Sequence, residues 1–278
     1  MNRATVDGGV IPDTVLNRLG LTLLLALLLC GSAQALEKQA PTIAIIIDDL
    51  GVNREAAQRL IRIDAPVTLA FLPYRPYTRE LANAANSQGK EVMLHAPMAN
   101  MAQIALGPGG LDLGMSREQI TRALAGSLDA VPHASGVNNH MGSLLTGEEE
   151  PMQWVMDEIA RHDLYFIDSR TTAATVAAST AHSRDIPTMS RDVFLDNARD
   201  QGAIHRQFLR LLETAREKGT AIGIGHPHEE TIAYLERILP QLDRYGYAVA
   251  TVSGLWAMRQ DRREVPEDVL VPLEANSR

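Results

Sequence analysis

Apolar and polar positions alternate along the chain in a way that spells strand, helix, strand. Ile43-Ala44-Ile45-Ile46-Ile47 is an unbroken, mostly β-branched run, as expected of a strand covered on both faces. Residues 53–63 then place Ala56, Ala57, Leu60 and Ile61 at helical spacing. Residues 67–72 predict a second strand, residues 78–88 a helix stopped by Gly89, and residues 91–95 a third strand. Strands recurring at about 24 residues with helices between them imply βαβ units and a parallel sheet.

The rest of the chain continues this rhythm less regularly. Residues 97–115 form a Gly-containing loop, and Ser116-Arg117-Glu118-Gln119 is a capping box opening a helix to Ala130. Strands are expected at 136–138, 164–167, 186–189, 220–225 and 247–252. Helices are expected at 148–162, 172–182, 204–218 and over most of 229–245. Seven or eight strands, each followed by a helix or loop and without an interdomain linker, predict an α/β fold. Its architecture would be a single distorted or incomplete (β/α) barrel over residues 36–260. A doubly wound open sheet is the alternative.

Composition narrows the chemistry. The 278 residues include 45% hydrophobic ones, enough for a core, and the formal net charge of −8 argues against nucleic-acid binding. One cysteine makes neither an internal disulfide nor a thiolate zinc cage, so a metal would need His and carboxylate ligands. Arg18 precedes a leucine-rich stretch, Leu19 to Cys30, of signal-peptide length, and Ala33-Gln34-Ala35 supplies small-x-small cleavage residues. Residues 1–35 therefore read as a signal peptide cleaved after Ala35, with an uncleaved anchor as the alternative. The mature chain would be periplasmic, without cysteine and without stable membrane insertion. Residues 261–278 read as a polar, flexible tail.

The polar residues with chemistry cluster at the C-terminal ends of the expected strands. Asp48 and Asp49 follow the first, His95 ends the third, and Asn138, Asn139 and His140 follow the fourth. Asp168 ends the fifth, and His226 and His228 follow the strand at 220–225. In a barrel these ends share the face that carries chemistry. Carboxylates and imidazoles together suit a divalent metal, zinc foremost. Other roles are open to each. Asp48 and Asp49 could cap a helix, although two adjacent carboxylates repel unless a cation or proton intervenes. Asp168 could pair with Arg170, and His226 could serve a turn. His228 reads as a surface or helix-start residue. Asp192 and Asp196 suit capping or surface charge as well as function. His133, His162, His182 and His205 read as solvated or structural.

Five motifs carry a resemblance. They are Ile45-Ile46-Ile47-Asp48-Asp49-Leu50-Gly51, Leu94-His95-Ala96-Pro97-Met98, Asn138-Asn139-His140-Met141-Gly142-Ser143, Phe166-Ile167-Asp168-Ser169 and Ile222-Gly223-Ile224-Gly225-His226-Pro227-His228. In this order, over residues 42–258, the chain resembles the divergent polysaccharide deacetylase family, exported relatives of metal-dependent carbohydrate deacetylases. The resemblance implies a distorted barrel with Asp48 as general base and Asp49 as metal ligand. His95 matches the first of two ligand histidines four residues apart, but Ala99 stands where the second belongs. His140, on the same rim, is the candidate replacement. Asp168 resembles a carboxylate that orients catalytic groups, and His226 a general acid. The implied reaction is removal of N-acetyl groups from an envelope or extracellular polysaccharide. Asn139 and Tyr74 are candidate substrate contacts, with Tyr77 and Trp256 as further rings. Adjacent strand residues point to opposite faces, which would send Asp49 to the metal and Asp48 to the attacking water. A non-catalytic carbohydrate-binding module and a metal hydrolase of another ester or amide bond are the alternatives.

Overall fold

The computed structural model describes residues 40–264. The expected signal peptide, its cleavage point and the end of the polar tail lie outside the described residues. Nine strands form one sheet: β1 (Thr42–Leu50), β2 (Thr68–Phe71), β3 (Glu91–Met98), β4 (Ala134–Met141), β5 (Tyr165–Asp168), β6 (Thr188–Ser190), β7 (Val193–Phe194), β8 (Thr220–Gly225) and β9 (Ala248–Ala250). All their pairings are parallel, in the order β6-β5-β4-β3-β2-β1-β8-β7, with β9 added on β1. This is the circular order of a barrel, left open between β6 and β7. It is a distorted (β/α) barrel rather than a doubly wound sheet.

The helices between the strands are α1 (Arg54–Ile61), α2 (Thr78–Ser87), α3 (Arg117–Ala130), α4 (Glu149–Arg161), α5 (Ala177–His182), α6 (Gln201–Lys218), α7 (Glu229–Ile238) and α8 (Val252–Glu264). Their starts follow local chemistry. Asn53 Oδ1 accepts from Ala56 N, Ser116 and Gln119 form the expected capping box, and Asp200 accepts from Ala203 N. The helix expected from residue 172 begins only at Ala177. Thr172 and Thr175 instead accept from Ala174 N and Ala177 N, local turns that compete with helix. The expected long helix after residue 229 becomes a 3₁₀ segment from Leu239, where Pro240 removes a donor.

The apolar run of β1 is divided between two packing layers. Ile43, Ile45 and Ile47 join the large cluster beneath the helices. Ala44 and Ile46 face the barrel interior with Ala70, Met93, Ile167, Ile222 and Ile224. Val252 and Leu255 of α8 join this inner cluster, with Trp256 packed against it. The start of α8 is fastened to the beginnings of β2 and β3. Val252 N donates to Thr68 Oγ1 at 3.1 Å and to Glu91 Oε2 at 2.8 Å. The helix therefore closes the N-terminal end of the barrel and leaves the C-terminal end for chemistry. Two sequence expectations change here. Trp256 lies at the closed end, away from the rim. The helix also continues through Glu264, past residue 261 where a flexible tail was expected.

Candidate metal centre

Strand alternation extends the inner face to the rim. After Ala44 and Ile46 the next inner residue of β1 is Asp48, and after Met93 of β3 it is His95. His95 and Asn138 are register partners, as are Pro97 and His140. Plain alternation would turn Asp49 outward. Instead Asp49 is left-handed, with φ of 59°, at a register shift between Ile47 and Leu50. This irregularity brings both carboxylates to His95, correcting the expectation that they diverge. Asp48 Oδ1 is 3.6 Å from His95 Nδ1, and Asp49 Oδ1 is 3.2 Å from His95 Nε2.

Three donor atoms crowd together at this point. Asp49 Oδ1 is 2.8 Å from His140 Nδ1, and His140 Nδ1 is 3.1 Å from His95 Nε2. Asp49, His95 and His140 form a group able to hold a metal ion. The fit rests on two observations. Asp49 Oδ1 is buried and, despite these short contacts, makes no hydrogen bond of acceptable geometry. An orphaned carboxylate oxygen facing two imidazole nitrogens has the arrangement of ligands around a common cation. The second observation is the tautomer. Asn138 Nδ2 donates to Asp48 Oδ1 at 2.8 Å, so Asn138 Oδ1 is the acceptor facing His95 Nδ1 at 2.7 Å. His95 therefore carries its proton on Nδ1, and in the neutral ring Nε2 is left as a lone pair facing the cluster.

The electrostatics agree with a site that calls for positive charge. Burial pushes the Asp48 carboxyl up, against the pull of His95, His226 and the Asn138 hydrogen bond. Burial would also raise Asp49, but the close contacts of His140 and then His95 outweigh it and hold this carboxyl well below the usual range. Burial disfavours a charged His95, yet the neighbouring Asp48 and Asp49 charges leave its pKa raised.

A second dyad stands at the end of β8. His226 Nδ1 lies 2.9 Å from Asp196 Oδ1, while Asp196 Oδ2 accepts from His226 N at 2.6 Å and Thr231 Oγ1 at 2.8 Å. Burial lowers the pKa of His226, but Asp196, with Asp48 and Asp49 behind it, lifts it to about 9. His226 thus remains an imidazolium through neutrality. Asp196, His226 and His228 are also close enough to share an ion, but the Asp196 carboxylate is already occupied by three hydrogen bonds.

Other candidates fall elsewhere. Asp168 is buried, but it accepts from Arg170 N at 2.8 Å and Thr175 Oγ1 at 2.9 Å. It braces the loop after β5, and the carboxylate that meets His226 is Asp196. Asn139 is buried with its amide spent on the scaffold, donating to Met141 O and accepting from Ser169 N. Tyr74 is exposed on the loop after β2, as is Tyr77. Ala99, at the position of the absent second histidine, is packed in the outer cluster. The sequence alone assigns no role to Asn138 or Asp196: Asn138 stands visibly on the rim, whereas Asp196 looks no different from Asp192.

The fold and the rim together define a class: a distorted (β/α) barrel with carboxylates and imidazoles converging at its C-terminal mouth. The chain belongs to the divergent polysaccharide deacetylase family, whose model matches residues 45–256. It is 36% identical over 203 residues to the uncharacterized protein YibQ of Escherichia coli K12, covering 73% of this chain and 64% of that one. The alignment therefore spans less than two thirds of that relative's length. An uncharacterized protein of Haemophilus influenzae is 34% identical over 200 residues, covering 72% of this chain and 71% of that one. Among solved structures, an uncharacterized protein of Agrobacterium tumefaciens C58 matches with a TM-score of 0.75 at 26% identity, over 78% of this chain and 89% of that one. Peptidoglycan deacetylase PdaC of Bacillus subtilis matches with a TM-score of 0.52 at 14% identity, over 82% of this chain and 96% of that one, a likeness of fold alone.

Proposed function

We propose that the protein is an exported, metal-dependent hydrolase that removes N-acetyl groups from an envelope polysaccharide. The observation that carries this reading is the convergence of Asp49 Oδ1, His95 Nε2 and His140 Nδ1 beside the buried Asp48. Asp49, His95 and His140 would hold the ion, with zinc the best match to the donor set. When bound, the metal supplies Lewis acidity toward a carbonyl and acidifies water.

The remaining steps belong to the chain's own groups. Asp48, oriented by Asn138, takes the proton of the attacking water. Burial raises its pKa, which makes it a stronger base than a solvated carboxylate, and Asn138 holds it in place. His226, held by Asp196 and protonated at neutral pH, gives its proton to the departing amine. Asp168 supports the rim through its loop, and the exposed Tyr74 offers a ring to a sugar face.

The experiment is acetate release from a panel of N-acetylated glycans. The enzyme is metal-loaded mature protein purified from the periplasm, with Leu36 as its expected first residue. Acetate release abolished by chelation and restored by zinc is the expected result. Release of a different acid would indicate another ester or amide bond. Glycan binding without any release by fully loaded protein would indicate a binding module and defeat the proposal.

A further inference from the structure

The hydrogen-bonded belt of the sheet opens between β6 and β7, which only Arg191 and Asp192 separate in the chain. These two residues turn to opposite sides of the opening. Asp192 fastens to β8: its N–H donates to Ile222 O at 2.9 Å, and its Oδ2 accepts from Ile222 N at 2.9 Å. Arg191 fastens to the end of β5. Its N–H donates to Asp168 O at 3.0 Å, its Nε to Ser169 O at 2.7 Å and its Nη2 to Arg170 O at 3.0 Å. The guanidinium carbon then lies 3.7 Å over the ring of Phe194 on β7. Phe194 is in turn stacked with His226, the ring centroids 6.3 Å apart and the planes 24° from parallel.

We propose that Arg191 is a positioning residue for His226, acting through Phe194. The inference rests on the reading of His226 as the general acid. The Asp196 hydrogen bond fixes Nδ1 but leaves the imidazole free to rock about that contact. Two rings constrain its plane, Phe194 and His228, the latter with its centroid 5.7 Å away and its plane 31° from parallel, both within the range of offset aromatic pairs. A phenyl ring beside the opening has no strand beyond it to hold it, and Arg191, anchored on three carbonyls across the gap, takes that place. The charged and titratable groups that act on His226 are Asp196, then Asp48 and Asp49 of β1, with His228 beside it. Arg199 and Glu230 act on His228 in turn. The Arg191 charge is felt by Asp168, Asp192 and Asp48 but is not among those acting on His226, so its effect on the His226 ring is one of placement, read from the ring protons rather than from turnover alone.

The test uses the metal-loaded protein with Arg191→Met, Arg191→Lys, Phe194→Leu and Phe194→Tyr. Misplacing a catalytic group by about 1 Å can cost on the order of 100-fold, so a roughly 10-fold or greater fall in kcat is expected for the first three. KM and metal content should stay near wild type. Lysine should not rescue, because a point ammonium reproduces neither the fork of donors nor the stack. Phe194→Tyr should retain turnover because it keeps the ring. The independent readout is the NMR shift of the His226 ring protons, which the Phe194 ring current displaces. In Arg191→Met these shifts should move toward those of free histidine. Where Arg191→Met does not fold, Arg191→Lys and Phe194→Leu carry the same two measurements. Unchanged ring-proton shifts in the folded Arg191 variants would overturn the proposal, even with reduced turnover, and so would wild-type kcat. Absence of acetate release by the wild type would instead strike at His226 as an acid. The ring-proton shifts would then still decide whether Arg191 positions it.

Discussion

At the residue scale, the site depends on three departures from simple pattern. Asp49 adopts a left-handed backbone that a carboxylate residue tolerates better than most, and this brings it to the same histidine as Asp48. Asn138 joins Asp48 to His95 through one amide. Asp196 holds His226 charged. The last gives a pH prediction. If His226 must donate a proton, turnover should fall on the alkaline side as the imidazolium that Asp196 favours loses its proton. Asp196→Asn should move that limb toward acid, because the neutral amide no longer favours the imidazolium. A pH profile of kcat checks it, and an unmoved alkaline limb would count against the dyad. The stability sign follows from the same raised pKa. The contribution of the raised His226 pKa is full below the unfolded value of about 6.5. It is lost as pH rises through about 9. Much of this was legible in the sequence as residue type and position: Asp48, Asp49, His95, His140 and His226 all stand at strand ends. The partner of His226 was not, because choosing Asp196 over Asp168 requires knowing which loop crosses the opening of the barrel.

At the element scale, long apolar runs and caps were readable and short strands were not. β1, the capping box of α3 and β8 follow from sequence because burial on both faces or a reciprocal cap leaves a local signature. The two-residue β7 does not, since Val193-Phe194 pairs with β8 only through tertiary context. One glycine shows how closely the inner face is packed. A Cβ at Gly136 would lie 2.1 Å from the Tyr165 ring. Gly136→Ala should therefore destabilise the protein by roughly 1–3 kcal/mol, the usual cost of overpacking. β4 carries Asn138 and His140 just beyond this point, so metal affinity should weaken as well. Denaturant unfolding and metal titration check both effects, and wild-type stability would show that Tyr165 yields more readily than its packing implies.

At the scale of the whole molecule, the two ends of the barrel have separate duties. Glu91 gathers Thr68 Oγ1 at 2.7 Å, Val252 N at 2.8 Å and Ser253 N at 3.2 Å at the closed end. These charge-assisted bonds lie at the start of α8, where a carboxylate also suits the helix dipole. Glu91→Ala should cost about 1.5–3 kcal/mol in thermal or denaturant unfolding, with metal stoichiometry unchanged. Loss of metal in the folded variant would contradict this division. The barrel was legible as a class from the strand–helix rhythm and from where the polar residues fell. Its opening was not, because whether β6 and β7 pair is decided by two residues that reach away from each other. The central claim is that Asp48 moves a proton while Asp49 holds a metal. The most direct test measures bound metal and acetate release together for Asp48→Asn and Asp49→Asn. Asp48→Asn should keep one metal equivalent and lose turnover by roughly 10²–10⁴-fold, whereas Asp49→Asn should lose both. Equal metal loss in the two variants, or full turnover in Asp48→Asn, would contradict the account.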